Sequence, residues 1–208
     1  IMKTDKMVPE IPNDLDILVP AQRYAEVCKV LAGFKHQRGV ERVGHQNHFK
    51  YEDLIEIDLH APVTEKKTGM PVVLVNGTQW VDADFVWAEP GAFEVSGMRF
   101  LKPNITADSC LTLVNTLFGH FSISFNECYT FQQNFQKIDL FQIRHQAKKF
   151  GWERGVDHYL EHIRRSSYAS LPILLSMVEL VGLFGEKCVS PVGITRVDLF
   201  NSLYLAYA

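Results

Sequence analysis

Asn13-Asp14-Leu15-Asp16-Ile17-Leu18-Val19-Pro20 carries two carboxylates at i and i+2 within a run of branched apolar residues, with Pro9 and Pro12 just upstream. Alternation of this kind predicts a short strand whose one face bears both acids. Further along, Leu54-Ile55-Glu56-Ile57-Asp58-Leu59-His60 repeats the pattern: Ile55, Ile57 and Leu59 face one way, Glu56 and Asp58 the other. If the two strands are neighbours, three or four acids converge on one surface. Like charges that close raise one another's pKa or recruit a cation. Oxygen-only ligation by carboxylates suits magnesium or manganese, and those ions suit phosphate chemistry.

Working outward, Ile1-Met2-Lys3 reads as the tail of a strand, followed by a proline-containing loop over 4–13. A chain opening on Ile1 instead of Met reads as a trimmed or excerpted product. Residues 21–34 have helical spacing, with Tyr24, Val27, Cys28 and Leu31 on one stripe and Gly33 and Gly39 marking the end. A polar strand is expected over 43–51, the second acid-bearing strand over 54–63, and a solvated turn at 65–69. Residues 71–74 predict a short strand ending at the tight-turn dipeptide Asn76-Gly77. Residues 80–87 fit helix and strand alike, Pro90-Gly91 breaks them, and 93–101 predicts a strand around Gly97.

Beyond Lys102-Pro103 the composition turns helical. Thr106-Ala107-Asp108 reads as a helix start with Thr106 or Asp108 as N-cap. Further helices are expected over 125–135, 138–149, 153–166, 171–184 and 196–207. The reading is therefore α+β: a mixed sheet with flanking helices over 1–103, followed by a small helical domain over 104–208. There is no internal repeat and no low-complexity tract.

A chain of 208 residues is long enough to bury a real core in one or two domains. The net charge of −3 argues against bulk nucleic-acid binding while leaving room for a local basic groove. Cys28, Cys110, Cys128 and Cys188 have no C-x-x-C spacing, which argues against a zinc ribbon and predicts a reduced, cytoplasmic chain. No apolar run reaches transmembrane length, and no signal peptide or membrane partner is expected.

The order of a loop, a D-x-D strand, a helix and a later strand with a lone acid resembles the polymerase-β-like nucleotidyltransferase superfamily. The form Ile57-Asp58-Leu59-His60, the strand around Gly97, Lys137-Ile138-Asp139-Leu140 and Phe150-Gly151-Trp152-Glu153 resemble a branch of it in which a helical domain follows the catalytic sheet. In that family a Gly-Ser pair opens the loop before the paired aspartates. Lys3-Thr4 stands there in this chain: Thr4 keeps a hydroxyl for a phosphate oxygen, whereas Lys3 replaces the glycine that permits close backbone approach. A lysine can instead bring charge to a triphosphate. The resemblance implies Asp14, Asp16 and Asp58 as metal ligands and catalytic residues, with Lys3 and Thr4 binding the nucleotide. It implies magnesium or manganese as cofactor, and transfer of a nucleoside monophosphate from an NTP to a hydroxyl acceptor. Two ions about 3.5–4 Å apart would activate that hydroxyl and stabilise the leaving oxygens. The acceptor stays open among a small molecule, an RNA end and a protein hydroxyl. Two alternatives remain: a catalytically inactive member of the fold that binds nucleotide or a partner, and a toxin-like regulatory module.

Other chemistry-bearing residues read more plainly. Glu56 is expected to face solvent or lie behind the ligands. His45 and His48 lack a third ligand nearby, and His48 could line the cleft only as an acceptor contact. His60 is expected on the face opposite Asp58, engaged in packing. His120 reads as a core histidine, and Arg164-Arg165 and Lys148-Lys149 as solvated helix faces. Trp80, Trp87 and Trp152 read as core or interface aromatics.

Overall fold

The computed structural model describes residues 14–31, 35–37, 46–51, 55–64, 69–75, 79–120, 122–165 and 173–174. The fold is α+β. In chain order the elements are β1 (Asp14–Leu18), α1 (Tyr24–Leu31), β2 (Lys35–Gln37), β3 (Gln46–Tyr51), β4 (Ile55–His60), β5 (Val63–Thr64), β6 (Pro71–Val75) and β7 (Gln79–Asp82). There follow α2 (Ala83–Trp87), β8 (Gly91–Val95), β9 (Met98–Lys102), α3 (Ile105–Asn115), α4 (Phe125–Asn134), α5 (Leu140–Phe150), α6 (Glu153–Arg165) and β11 (Ile173–Leu174), which pairs antiparallel with β10 (Ser122–Ile123).

The acid-bearing strands lie in one four-stranded mixed sheet of order β1-β4-β3-β2. β1 runs parallel to β4, with Asp14 opposite Glu56, Asp16 opposite Asp58 and Leu18 opposite His60. β3 runs antiparallel on the other edge of β4, placing Phe49 opposite Ile57 and His48 opposite Asp58. Alternation fixes this register: Leu59 and Phe49 are buried on the apolar side. A slip of one residue would turn both of these toward the acids.

A second sheet, β5-β6-β7, leads into α2. Val72 and Val73, successive residues of β6, are both buried, so this strand is covered on both faces. The segment 80–87, open between helix and strand, is both: β7 ends at Asp82, whose side chain accepts from the Asp84 N–H and caps α2. The strand expected around Gly97 is instead the β8–β9 hairpin, with Val95 opposite Met98. Ser96 and Gly97 both take positive φ (50° and 75°), as a two-residue turn matching the strand twist requires.

The helices expected near 125, 138 and 153 form as α4, α5 and α6. α3 starts earlier than expected. Its N-cap is Asn104, not Thr106 or Asp108; the Asn104 side chain accepts from the N–H groups of Thr106 and Ala107. Ser124 and Glu127 form a capping box at α4, and Asp139 caps α5. Gly151, in the left-handed conformation, ends α5. α6 buries Gly155, Val156, Tyr159, Leu160 and Ile163 along one stripe and turns its charges outward. Residues 173–174, expected inside a helix, form β11 instead; the rest of that helix and the one over 196–207 lie outside the described residues.

α3 is buried nearly all round, and it is the axis of the core. One cluster runs from Leu18, Val73, Val81 and Val86 through Leu111, Leu113, Val114 and Phe118 to Ile143, Trp152, Tyr159 and Ile163. It crosses the Pro103–Asn104 junction. Among the described residues no helix is long and apolar enough to cross a membrane.

Candidate functional site

The site follows from the pleat. Asp16 is the middle residue of β1, and its neighbour on the same pleat, Leu18, is built into the main core. Asp16 is therefore only 9% exposed, unusual for a carboxylate outside a salt-bridged interior. Across the parallel pair stands Asp58, and one pleat further along β4 stands His60. The His60 Nε2 lies 3.0 Å from Asp16 Oδ1, with the two side chains 13% and 11% exposed.

His60 thus shares the acid face, contrary to the expectation that it packs on the opposite side. Residues i and i+2 of a strand point the same way, and that rule was the signal for it. Asp16, Asp58 and His60 each offer one ligand atom, all within 4.8 Å of one another. Glu56, on the same parity, is exposed, as expected.

The sequence-predicted ligands fare differently. Asp16 and Asp58 are brought together. The Asp14 backbone pairs with Glu56 in β1, two residues before Asp16, but its side chain lies outside the described residues, as do Lys3, Thr4 and His45 altogether. For His48 and Trp80 the backbone alone is described, in β3 and β7, and for His120 the backbone sits in a π-turn after α3.

The donor set fits a divalent cation. Two carboxylates and an imidazole present hard oxygens and one borderline nitrogen, a set that first-row divalent ions accept. The hydrogen bond between His60 and Asp16 Oδ1 holds the carboxylate in place on this pleat.

Away from this site, among the described residues, Lys149 and Arg165 are engaged in ion pairs. Lys149, expected on a solvated face, pairs with Asp82, with 23% and 12% of the two side chains exposed. Lys148, Arg164 and Arg165 are exposed as expected, and Arg165 pairs with Glu161 one turn back. Trp152 is buried in the core and Trp87 packs against it. Burial pushes the Cys110 and Cys128 thiols up, so neither is poised as a nucleophile. Comparison with protein families, with curated proteins and with solved structures yields no match.

Proposed function

We propose that this chain is a divalent-metal-dependent nucleotidyltransferase of the polymerase-β-like kind, moving a nucleoside monophosphate from an NTP to a hydroxyl acceptor. The observation that carries the reading is the pairing of Asp16 with Asp58 across parallel β1 and β4, with their ligand oxygens and a His60 nitrogen within 4.8 Å. Paired acids on one strand facing a lone acid on its neighbour are what two-strand cation centres for phosphoryl chemistry require. In this reading Asp14, Asp16 and Asp58 hold magnesium or manganese, and Lys3 and Thr4 meet the triphosphate.

When bound, the cation supplies charge neutralisation at the α-phosphate and lowers the pKa of the acceptor hydroxyl. The acceptor hydroxyl gives its proton to solvent, its oxygen forms the new bond to the α-phosphorus, the α–β phosphoanhydride bond breaks, and pyrophosphate leaves with the electron pair. Asp58 is the carboxylate assigned to the acceptor side. The rigid apolar backing of β4, with Leu59 fully buried, keeps the carboxylates from drifting, and positioning accounts for most of the rate in such reactions.

The test is label transfer from α-labelled NTPs with Mg2+ or Mn2+, offered small-molecule, RNA and protein acceptors, in the native chain and in Asp16→Asn. The substitution is expected to lower transfer by about a hundredfold or more while leaving the circular dichroism unchanged. Full transfer by Asp16→Asn would overturn the reading. Metal-dependent NTP binding without transfer to any acceptor would assign the chain to the inactive, nucleotide-binding alternative.

A further inference from the structure

We propose that His60 is a nitrogen ligand of the cation held by Asp16 and Asp58, so that the centre selects first-row transition ions over magnesium. The inference rests on the cation centre proposed above and names what that centre prefers.

Geometry points this way. Two donors each about 2.1 Å from one ion, at right angles, stand about 3.0 Å apart. The His60 Nε2 and Asp16 Oδ1 atoms stand 3.0 Å apart, and all three donors lie within 4.8 Å, so that a side-chain movement of well under about 1 Å suffices to bring the set inside the trans span of about 4.2 Å. The imidazole has little freedom to leave: its side chain is 13% exposed, and β4 is flanked by strands on both edges. Magnesium favours oxygen and keeps its water, whereas manganese and the later transition ions accept imidazole nitrogen readily. A nitrogen in the set therefore raises affinity for the second group more than for the first. The competing role for the same contact is an Nε2–H donated to Asp16, in which His60 only orients the carboxylate. That role predicts equal consequences for both metals.

Mn2+ is the probe, titrated into the full chain and followed by electron paramagnetic resonance, with Mg2+ affinity read by competition. The native chain is expected to show nitrogen coupling on the bound Mn2+ signal. His60→Gln should lose that coupling and about tenfold or more of Mn2+ affinity, with Mg2+ affinity changed less than about threefold. His48→Gln, whose position pairs with Asp58 across β3, should retain the coupling. No nitrogen coupling in the native chain, or equal losses for both ions in His60→Gln, overturns the proposal. Should His60→Gln not fold by thermal melt, His60→Asn is read in the same way, and lost coupling in His48→Gln refutes the assignment to His60. Coupled Mn2+ without nucleotide transfer would sink the nucleotidyltransferase reading and uphold His60 as ligand. Transfer without coupling would do the reverse.

Discussion

Asp82 is where the second sheet is tied to the helices, and its removal has a calculable cost. One carboxylate oxygen accepts from the Asp84 N–H at 3.0 Å and caps α2; the other pairs with Lys149 of α5. The Asp82 N–H donates to Gln146 Oε1 at 3.1 Å, a backbone contact that every substitution keeps. Loss of an N-cap costs about 1 kcal/mol. Breaking a fully buried ion pair costs about 3–5 kcal/mol and an exposed one under about 1. At 12% and 23% side-chain exposure this pair falls between, at about 2 kcal/mol. Asp82→Asn keeps the capping oxygen and should cost about 2 kcal/mol, and Asp82→Ala about 3. Lys149→Met should also cost about 2, because it strands the carboxylate. The double variant Asp82→Asn/Lys149→Met should then cost about 2 and not about 4, since neither charge is left uncompensated. Urea unfolding of the four proteins at one pH and salt concentration gives the cycle. Strict additivity of the two single changes would refute the pairing, and equal costs for Asp82→Asn and Asp82→Ala would refute the cap.

Two further substitutions probe the helical core. A Cβ at Gly155 would meet the Phe118 ring at 3.0 Å and Leu117 Cδ1 at 3.3 Å, with both residues fully packed. Helix propensity favours Gly155→Ala by about 1 kcal/mol and overpacking opposes it by about 1–3, so a net loss of about 1 is expected. A higher melting temperature would contradict it. Tyr159 is fully buried, and its hydroxyl has no hydrogen-bond partner among the described residues. Tyr159→Phe should therefore stabilise the protein by about 1 kcal/mol in chemical unfolding. Burial first, then the Glu127 carboxylate and the Cys128 thiol, raise the Tyr159 pKa well above its usual value. Because the folded pKa is the higher, stability is full below about pH 10 and falls as pH rises above it. The phenylalanine variant should lose part of that alkaline decline, and an unchanged pH profile would refute the assignment.

What could be read from the residues was what period and local turn chemistry encode. The D-x-D and E-I-D strands are visible because acids alternate with branched apolar residues in each, so the two-residue period stands out at both. His60 obeys the same period, since i and i+2 share a face, but an imidazole carries no obvious hydropathy and so does not itself mark the face it takes. Asn104 is hard to read as the cap because Thr106 and Asp108 offer equally good capping side chains, while the true cap lies just outside the helical run. Ser96-Gly97 is a turn dipeptide, yet the flanking residues alternate so evenly that one strand and a hairpin look alike. The Asp82–Lys149 pair, 67 residues apart in sequence, had no local signal at all. Lys149 sits beside Lys148 in a run that reads as solvent-facing until the fold brings β7 against α5.

The apolar residues of β1 and β4 explain why the acids meet where they do. Leu59 is buried on one side of the sheet, and the parallel register that sets Ile17 beside it sets Asp16 opposite Asp58 on the other. The sheet thus gathers two carboxylates and an imidazole within 4.8 Å at a part-buried pleat, a placement that apolar packing alone does not call for. A sheet built only for stability would place its charges at the exposed pleat, as it does with Glu56, and leave the position beside Leu18 apolar. Asp16 departs from that pattern at 9% exposure, beside a partner acid and a histidine. Local conflict of this kind, held in place by consistent packing around it, is where function resides in folded chains. It is the physical reason for proposing the cation site at this pleat and not at the basic helix faces, whose charges are exposed or paired with carboxylates.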